Sequence, residues 1–233
     1  MDRLADISSN WGPFNRPLFE NPKARDLSRV GVIDVGSNSV RLVVFDGAAR
    51  SPAYFFNEKV MCALGAGLAE TGKLNPEGRQ RALSALRRFC TIGKGVGLQD
   101  LTAIATAAVR EASDGTSFVN QVFSETGLKI HVVSGPEEAR LSAQGVLLGW
   151  PGSYGLVCDI GGASMELAEI SNGEVGKRIT SSLGPLSISG IAGGKRGQKL
   201  FISKILDDLH VQMGSQSDRL FLVGGSWRAI ARI

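Results

Sequence analysis

The strongest constraint on the fold is an internal repeat. Residues 30–46 read VGVIDVGSNSVRLVVFD: an apolar run ending on Asp34, a small polar turn (Gly36-Ser37-Asn38-Ser39), and a second β-rich run. This pattern predicts a strand, a tight turn and a returning strand. Residues 155–170, GLVCDIGGASMELAEI, repeat it 125 positions further on. Asp159 falls on Asp34, Gly161 on Gly36, Ser164 on Ser39 and Leu167 on Leu42. Solenoid repeats run only ~20–50 residues. The longer period predicts two related halves, each opening with one hairpin, and chance likeness of two hairpins is the alternative.

Between the hairpins the pattern alternates. A strand is expected over 52–63. Asn75-Pro76 reads as an N-cap with proline at the first helical position, opening a helix to about Gly95. Leu83, Leu86 and Cys90 recur on one face of that helix, with Phe89 beside them. Residues 101–109 (LTAIATAAV) read as a strand and 114–125 as a helix closed by Gly127. A strand over 129–133 and a helix over 136–150 follow. Strand–helix alternation predicts an α/β fold with a mostly parallel sheet flanked by helices. After the second hairpin we expect a strand at 174–182, a Gly/Lys-rich loop at 189–199, a helix at 200–212, a strand at 220–223 and the start of a last helix. The expected domains are a mobile tail (1–28), a first domain (29–150) and a partial second domain (151–233) in a chain cut short. A docking segment built on Trp11, Phe14 and Phe19 is the other reading of the tail.

The chain has 233 residues, and its formal charge of +4 favours anionic ligands without arguing for nucleic acid. Three widely spaced cysteines, Cys62, Cys90 and Cys158, give neither a metal-ligand spacing nor a disulfide framework. Reduced thiols and a cytoplasmic protein are expected. No apolar run reaches the ~18 residues of a membrane span, and the N-terminus lacks the apolar stretch of a signal peptide.

The two turns are the first candidates for chemistry. A Gly/Ser turn exposes several N–H groups, adds hydroxyl donors and lets an anion approach closely, which is what a phosphate cradle needs. Asp34 and Asp159 would repel that phosphate unless a cation lay between, and Mg²⁺ accepts one or two carboxylates alongside phosphate oxygens and water. Each Asp could instead only shape its turn. Glu166 lies in the returning strand, where strand alternation groups it with Ala168, and the repeat places Arg41 at the matching position. An acid that helps to hold a cation and a base that contacts phosphate suit a shared cleft; an exposed sheet face would also accommodate both. In SGPEEARLSAQ, Ser134 and Glu137 match a capping box, which explains Glu137 and leaves Glu138 free in the first helical turn. A carboxylate there could take a proton from an attacking water. Arg140 reads as an ion-pairing residue. Arg110 follows the central strand, where it could bind phosphate or pair with Glu111 or Asp114. Gly224-Gly225-Ser226 stands at another strand end. The run Lys195, Arg196, Lys199 and Lys204 reads as a solvated face that could also guide a polyanion.

IDVGSNSVRL, ATAAVREA, SGPEEARLSAQG and DIGGASMEL, in this order and spacing, resemble the exopolyphosphatase / guanosine pentaphosphate phosphohydrolase family of the sugar kinase–actin–heat-shock ATPase superfamily. The likeness covers roughly residues 30–233. It implies two actin-like (ribonuclease H-like) domains with mixed sheets and a cleft between them. It implies phosphate-binding roles for Gly36, Ser37, Asn38, Ser39, Arg41, Arg110, Gly161, Gly162, Ser164, Gly224 and Gly225. Asp34, Asp159 and Glu166 would be the metal-associated acids and Glu138 the catalytic glutamate. The implied reaction is Mg²⁺- (or Mn²⁺-) dependent removal of terminal orthophosphate from inorganic polyphosphate. Alternatives are guanosine pentaphosphate as substrate, a phosphotransferase, or an impaired polyphosphate- or nucleotide-binding fragment. A homodimer is implied for the full-length form. The family's DIGGGS pattern appears here as DIGGAS, so the Ala163 methyl is expected to crowd one phosphate approach. The family normally continues well past residue 233.

Overall fold

A computed structural model describes residues 29–45, 54–98, 100–214 and 217–233. The expectations for 1–28, including Trp11, Phe14 and Phe19, lie outside the described residues.

The hairpin repeat exists in space. β1 (Val30–Val35) and β2 (Ser39–Phe45) pair antiparallel with Asp34 opposite Arg41. β6 (Gly155–Ile160) and β7 (Met165–Ser171) pair likewise with Asp159 opposite Glu166. Each turn is closed by one matching hydrogen bond, Gly36 N–H to Ser39 O and Gly161 N–H to Ser164 O, both 3.0 Å. A third strand extends each hairpin: β3 (Tyr54–Met61) and β8 (Glu174–Ser181). A strand parallel to the first then joins on the other side: β4 (Asp100–Ala105) beside β1, and β9 (Leu220–Val223) beside β6. β5 (Ile130–Val132) completes the first sheet, giving orders β3-β2-β1-β4-β5 and β8-β7-β6-β9. Both sheets are mixed, as the resemblance implied.

α2 (Pro76–Gly95) starts where the N-cap signal put it, with Asn75 Oδ1 accepting the Gly78 N–H at 2.8 Å. Its Leu83, Leu86 and Phe89 pack with Phe118 and Val122 of α4 (Gly115–Thr126) over Ile33, Val35, Val40, Leu42 and Val44. Burying one such side chain fully is worth about 1.5–3 kcal/mol, so this core anchors the first half.

Three elements differ from expectation. The strand over 101–109 ends at Ala105, and Ala107–Glu111 turns into a short helix, α3. Once Thr106 N–H has reached Val35 O, the pairing with β1 is spent and the alanine-rich run takes its helical preference. The Gly/Lys-rich loop is mostly helical: α6 (Pro185–Ser189) precedes it, and α7 (Gly194–Met213) begins well before residue 200. Gly193, at φ 87°, lets the chain enter α7 from the left-handed region. Finally, α5 (Gly135–Gly149), which the sequence reading attached to the first half, packs on the second sheet. Its Ala139, Ala143 and Val146 form a core with Val157, Ala168 and Ile170. α7 covers the opposite face through Leu209 and Met213 against Cys158, Met165 and Leu167. Buried on both faces, Met165 to Ala168 are enclosed throughout.

A four-residue helix, α1 (Leu68–Thr71), and the terminal α8 (Gly225–Ile230) complete the elements. All three cysteines are unpaired thiols. Among the described residues no helix is long and apolar enough to cross a membrane.

Candidate active site between the two hairpins

The two turns confront each other. A Cβ on Gly162 would stand 3.0 Å from the Ser37 Cβ and 3.5 Å from the Asn38 nitrogen. Glycine at 162 therefore permits the close approach. Asn38 O accepts the N–H groups of Cys62 and Ala63, and Ser37 O that of Gly65, fixing the first turn to the chain after β3. Leu186 N–H does the same for Gly162 O. The N–H groups of Ser37, Asn38, Gly162 and Ala163 form no hydrogen bond among the described residues, so they remain available to an anion.

Each Asp opens a row of side chains running across its sheet. Register places Asp34, Arg41 and Lys59 in one row, and Asp159, Glu166 and Thr180 in the other. The halves share a backbone and differ in charge. In the first, Asn57 Oδ1 holds Arg41 Nε at 2.8 Å. Asp34 is open to solvent by surface area and yet crowded by protein, as befits the floor of a narrow gap. Its carboxyl is raised to about 6 by that crowding and by Asp159 across the gap, against the pull of Arg41 and Lys59.

The second row holds the more acidic cluster. Ser142 Oγ donates to Asp159 Oδ2 at 2.5 Å, and Thr180 Oγ1 to Glu166 Oε1 at 2.8 Å. Glu166 is 1% exposed, and its Oε2 has no protein partner. Gly224 abuts Asp159: a Cβ there would lie 2.8 Å from Oδ1. Burial raises the Asp159 carboxyl, opposed by Ser142 and by Arg228.

Glu138 reaches this cluster from α5. Ser134 Oγ accepts the Glu137 N–H at 3.3 Å, but the Glu137 carboxylate turns to Arg140 (2.8 and 2.5 Å), so only half of the expected capping box forms. Glu138 is left for the gap. Arg110 Nη1 donates to Glu138 Oε2 at 3.1 Å and to Val133 O at 3.0 Å, while Nη2 lies 3.5 Å from Glu111. Its expected partner Asp114 instead pairs with Arg79 at 3.2 Å. Arg110 thus holds Glu138 through one arm of its guanidinium. Burial and the Glu166 charge push the Glu138 carboxyl well above its usual range, with Arg110 opposing. Burial likewise raises Glu166, against the hydroxyls of Ser164 and Thr180.

Carboxyls raised in the native state bind more protons there than in the unfolded chain. Native stability should therefore fall as pH rises from about 5 to 8, the window between an ordinary carboxyl and these raised ones. Thermal melts across that range check this, and Glu166→Gln should flatten the slope.

Asp34, Asp159 and Glu166 were expected to hold a metal. No three His, Cys, Asp or Glu among the described residues gather closely enough to cage an ion. The mutually raised carboxyls and the orphaned Glu166 Oε2 fit a looser site, in which one or two carboxylates hold a cation with water and phosphate oxygens as its other ligands. Ala163 is buried, its backbone lies outside the left-handed region, and its carbonyl accepts Ser187 Oγ at 2.7 Å. It lines a cavity of about 220 Å³ between the halves, with Leu68, Glu111 and Leu186. Ser37 and Ser164 are buried.

Twin sheets, facing aspartate-tipped turns and an acidic cluster with its own guanidinium clamp define a two-lobed protein of actin-like build. The profile of the Ppx/GppA phosphatase family matches residues 43–190, and the chain belongs to this family. It is 34% identical to Exopolyphosphatase 1 of Mycobacterium tuberculosis over 143 residues, 60% of this chain and 42% of that protein. The chain thus spans less than half the length of the curated relatives it matches. Its fold is similar to that of an exopolyphosphatase from Cytophaga hutchinsonii (TM-score 0.78, 24% identity, 88% of this chain and 69% of that one). It is also similar to the Ppx/GppA family member of Aquifex aeolicus (TM-score 0.69, 22% identity, 85% and 66%).

Proposed function

We propose that this chain forms the phosphate-gripping and water-activating part of an exopolyphosphatase, which removes terminal orthophosphate from inorganic polyphosphate. The observation that carries the reading is that α5 brings Glu138, held by Arg110, one turn before the Ser142 that bonds Asp159, beside two facing turns that offer free N–H groups. The names of the curated relatives support the same substrate.

The turns would hold the terminal phosphate through the N–H groups of Ser37, Asn38, Gly162 and Ala163, with Arg41 adding positive charge on the first side. Glu138, clamped by Arg110, would accept a proton from the attacking water. The water oxygen bonds to the terminal phosphorus, the bridging P–O bond breaks, and the shortened chain leaves with the electron pair. Mg²⁺ beside Asp159, Asp34 and Glu166 would supply charge neutralisation on the phosphoryl oxygens. A raised pKa suits Glu138 to this work, because a general base is most effective when its pKa lies near the working pH.

Phosphate release by the whole protein with Mg²⁺ tests the reading. Release from inorganic polyphosphate well above that from guanosine pentaphosphate is expected. The reverse order would transfer the same chemistry to the nucleotide. Tight polyphosphate binding without release from either would leave a binding protein.

A further inference from the structure

α5 crosses the second sheet so that successive turns meet successive members of one row. Gly135 abuts Thr180, Glu138 feels Glu166 and Ser142 bonds to Asp159. The match is metric. Seven residues of helix rise about 10 Å at 1.5 Å each, and two strand spacings also cover about 10 Å. The helix is thereby indexed to the row, one contact per strand.

Thr180 is the contact at which α5 begins to meet this row. A Cβ on Gly135 would overlap the Thr180 Cγ2 and stand 2.5 Å from its Cβ, so the first residue of α5 rests directly on this side chain. Three residues further along the helix is Glu138. The Thr180 hydroxyl meanwhile donates to Glu166 Oε1, which turns Oε2 into a buried position with no protein partner. A single residue thus touches the start of the helix that carries one carboxylate and orients the opposing one.

We infer that Thr180 is a positioning residue: its hydroxyl fixes the rotamer of Glu166 so that one carboxylate oxygen faces the reacting phosphate and its counter-charge. The inference rests on the phosphatase reading above and deepens it. It also accounts for glycine at 135, the second residue of the SGPEEAR segment, as the partner of Thr180.

Three variants of the whole protein test this. Thr180→Val keeps the shape and removes the donor. Its kcat should fall about 10- to 100-fold, the range expected when a buried carboxylate oxygen loses its partner. KM for polyphosphate should stay within about twofold, because Thr180 is not among the residues proposed to grip phosphate. Thr180→Ser keeps the donor and should restore kcat to within about threefold of the parent. Should Thr180→Val fail to fold, Thr180→Cys, which has nearly the shape of serine and a poor donor, takes its place against Thr180→Ser. Wild-type turnover in Val or Cys, or equal losses in Ser and Val, would overturn the inference. If the parent protein releases no phosphate, the phosphatase reading falls, and a crystal structure of Thr180→Val still decides the positioning role. Glu166 in a new rotamer supports it, and Glu166 unmoved refutes it.

Discussion

Glu138→Gln should lower turnover by about 10²–10⁴, the span usual for losing a positioned general base, while polyphosphate binding stays largely intact. The amide keeps nearly the same shape and can still accept from Arg110 Nη1. It cannot take a proton from water. The substitution also removes one of several carboxyls that raise each other, so the protein should melt higher than the parent at pH 8. A variant slower and yet more stable separates the loss of a base from a loss of folding. The pH profile sharpens the point. Because burial and Glu166 raise the Glu138 carboxyl, the acid limb of kcat/KM should lie well above the ordinary carboxylate range. Glu138 and Glu166 interact, so that limb belongs to the pair. In Glu138→Gln the limb should move, because Glu166 alone remains of the pair. Near-parental turnover in the variant would remove Glu138 from the reaction.

Gly224→Ala should have the second largest effect. Gly224 has φ 104°, where alanine is strained, and an added methyl carbon would sit 2.8 Å from Asp159 Oδ1 and 2.9 Å from Ile160 O. The carbonyl belongs to backbone and cannot swing aside as a flexible side-chain end would, so Asp159 or the start of α8 must move. Displacing a site group by about 1 Å can cost about 100-fold in rate, and a loss of that order is expected, with a lower melting temperature. Gly145→Ala on α5 is the control: nothing lies within 4 Å of the added carbon. It should leave turnover unchanged and raise stability by up to about 1 kcal/mol, since alanine is the better helix former. Steady-state kinetics and thermal melts of the two variants make the comparison. Equal activity in Gly224→Ala and the parent would mean that Asp159 does not depend on this approach.

The hairpins were legible because their information is local. Asp34 and Asp159 at strand ends, with small residues after them, specify the turn, and the repeat transfers one reading to the other. The N-cap at Asn75 and the separation of Glu137 from Glu138 were legible for the same reason. What escaped depends on contacts distant in sequence. Nothing around Thr180, Ser142, Lys59 or Arg228 marks them, and they reach the acids only through strand register or helix packing. Strand register did carry one usable signal. With Arg41 opposite Asp34, alternation on a third strand brings Lys59 into the same row. The side of α5 was not legible either. Its apolar residues can cover either sheet, and the choice is made by small residues, Gly135, Ala139 and Ala143, that let the helix lie close to β7 and β8. The contact of Arg110 with Glu138 and the Val133 carbonyl was not legible either, since it joins elements distant in sequence.

The central claim is that both turns grip one phosphate within reach of Glu138. A crystal structure of the Glu138→Gln protein soaked with inorganic polyphosphate and Mg²⁺ tests it most directly. The account predicts a terminal phosphate between the N–H groups of Ser37 and Asn38 on one side and Gly162 and Ala163 on the other, with residue 138 facing its phosphorus from the side opposite the bridging oxygen. Polyphosphate bound elsewhere, with the space between the turns holding only water, would contradict it.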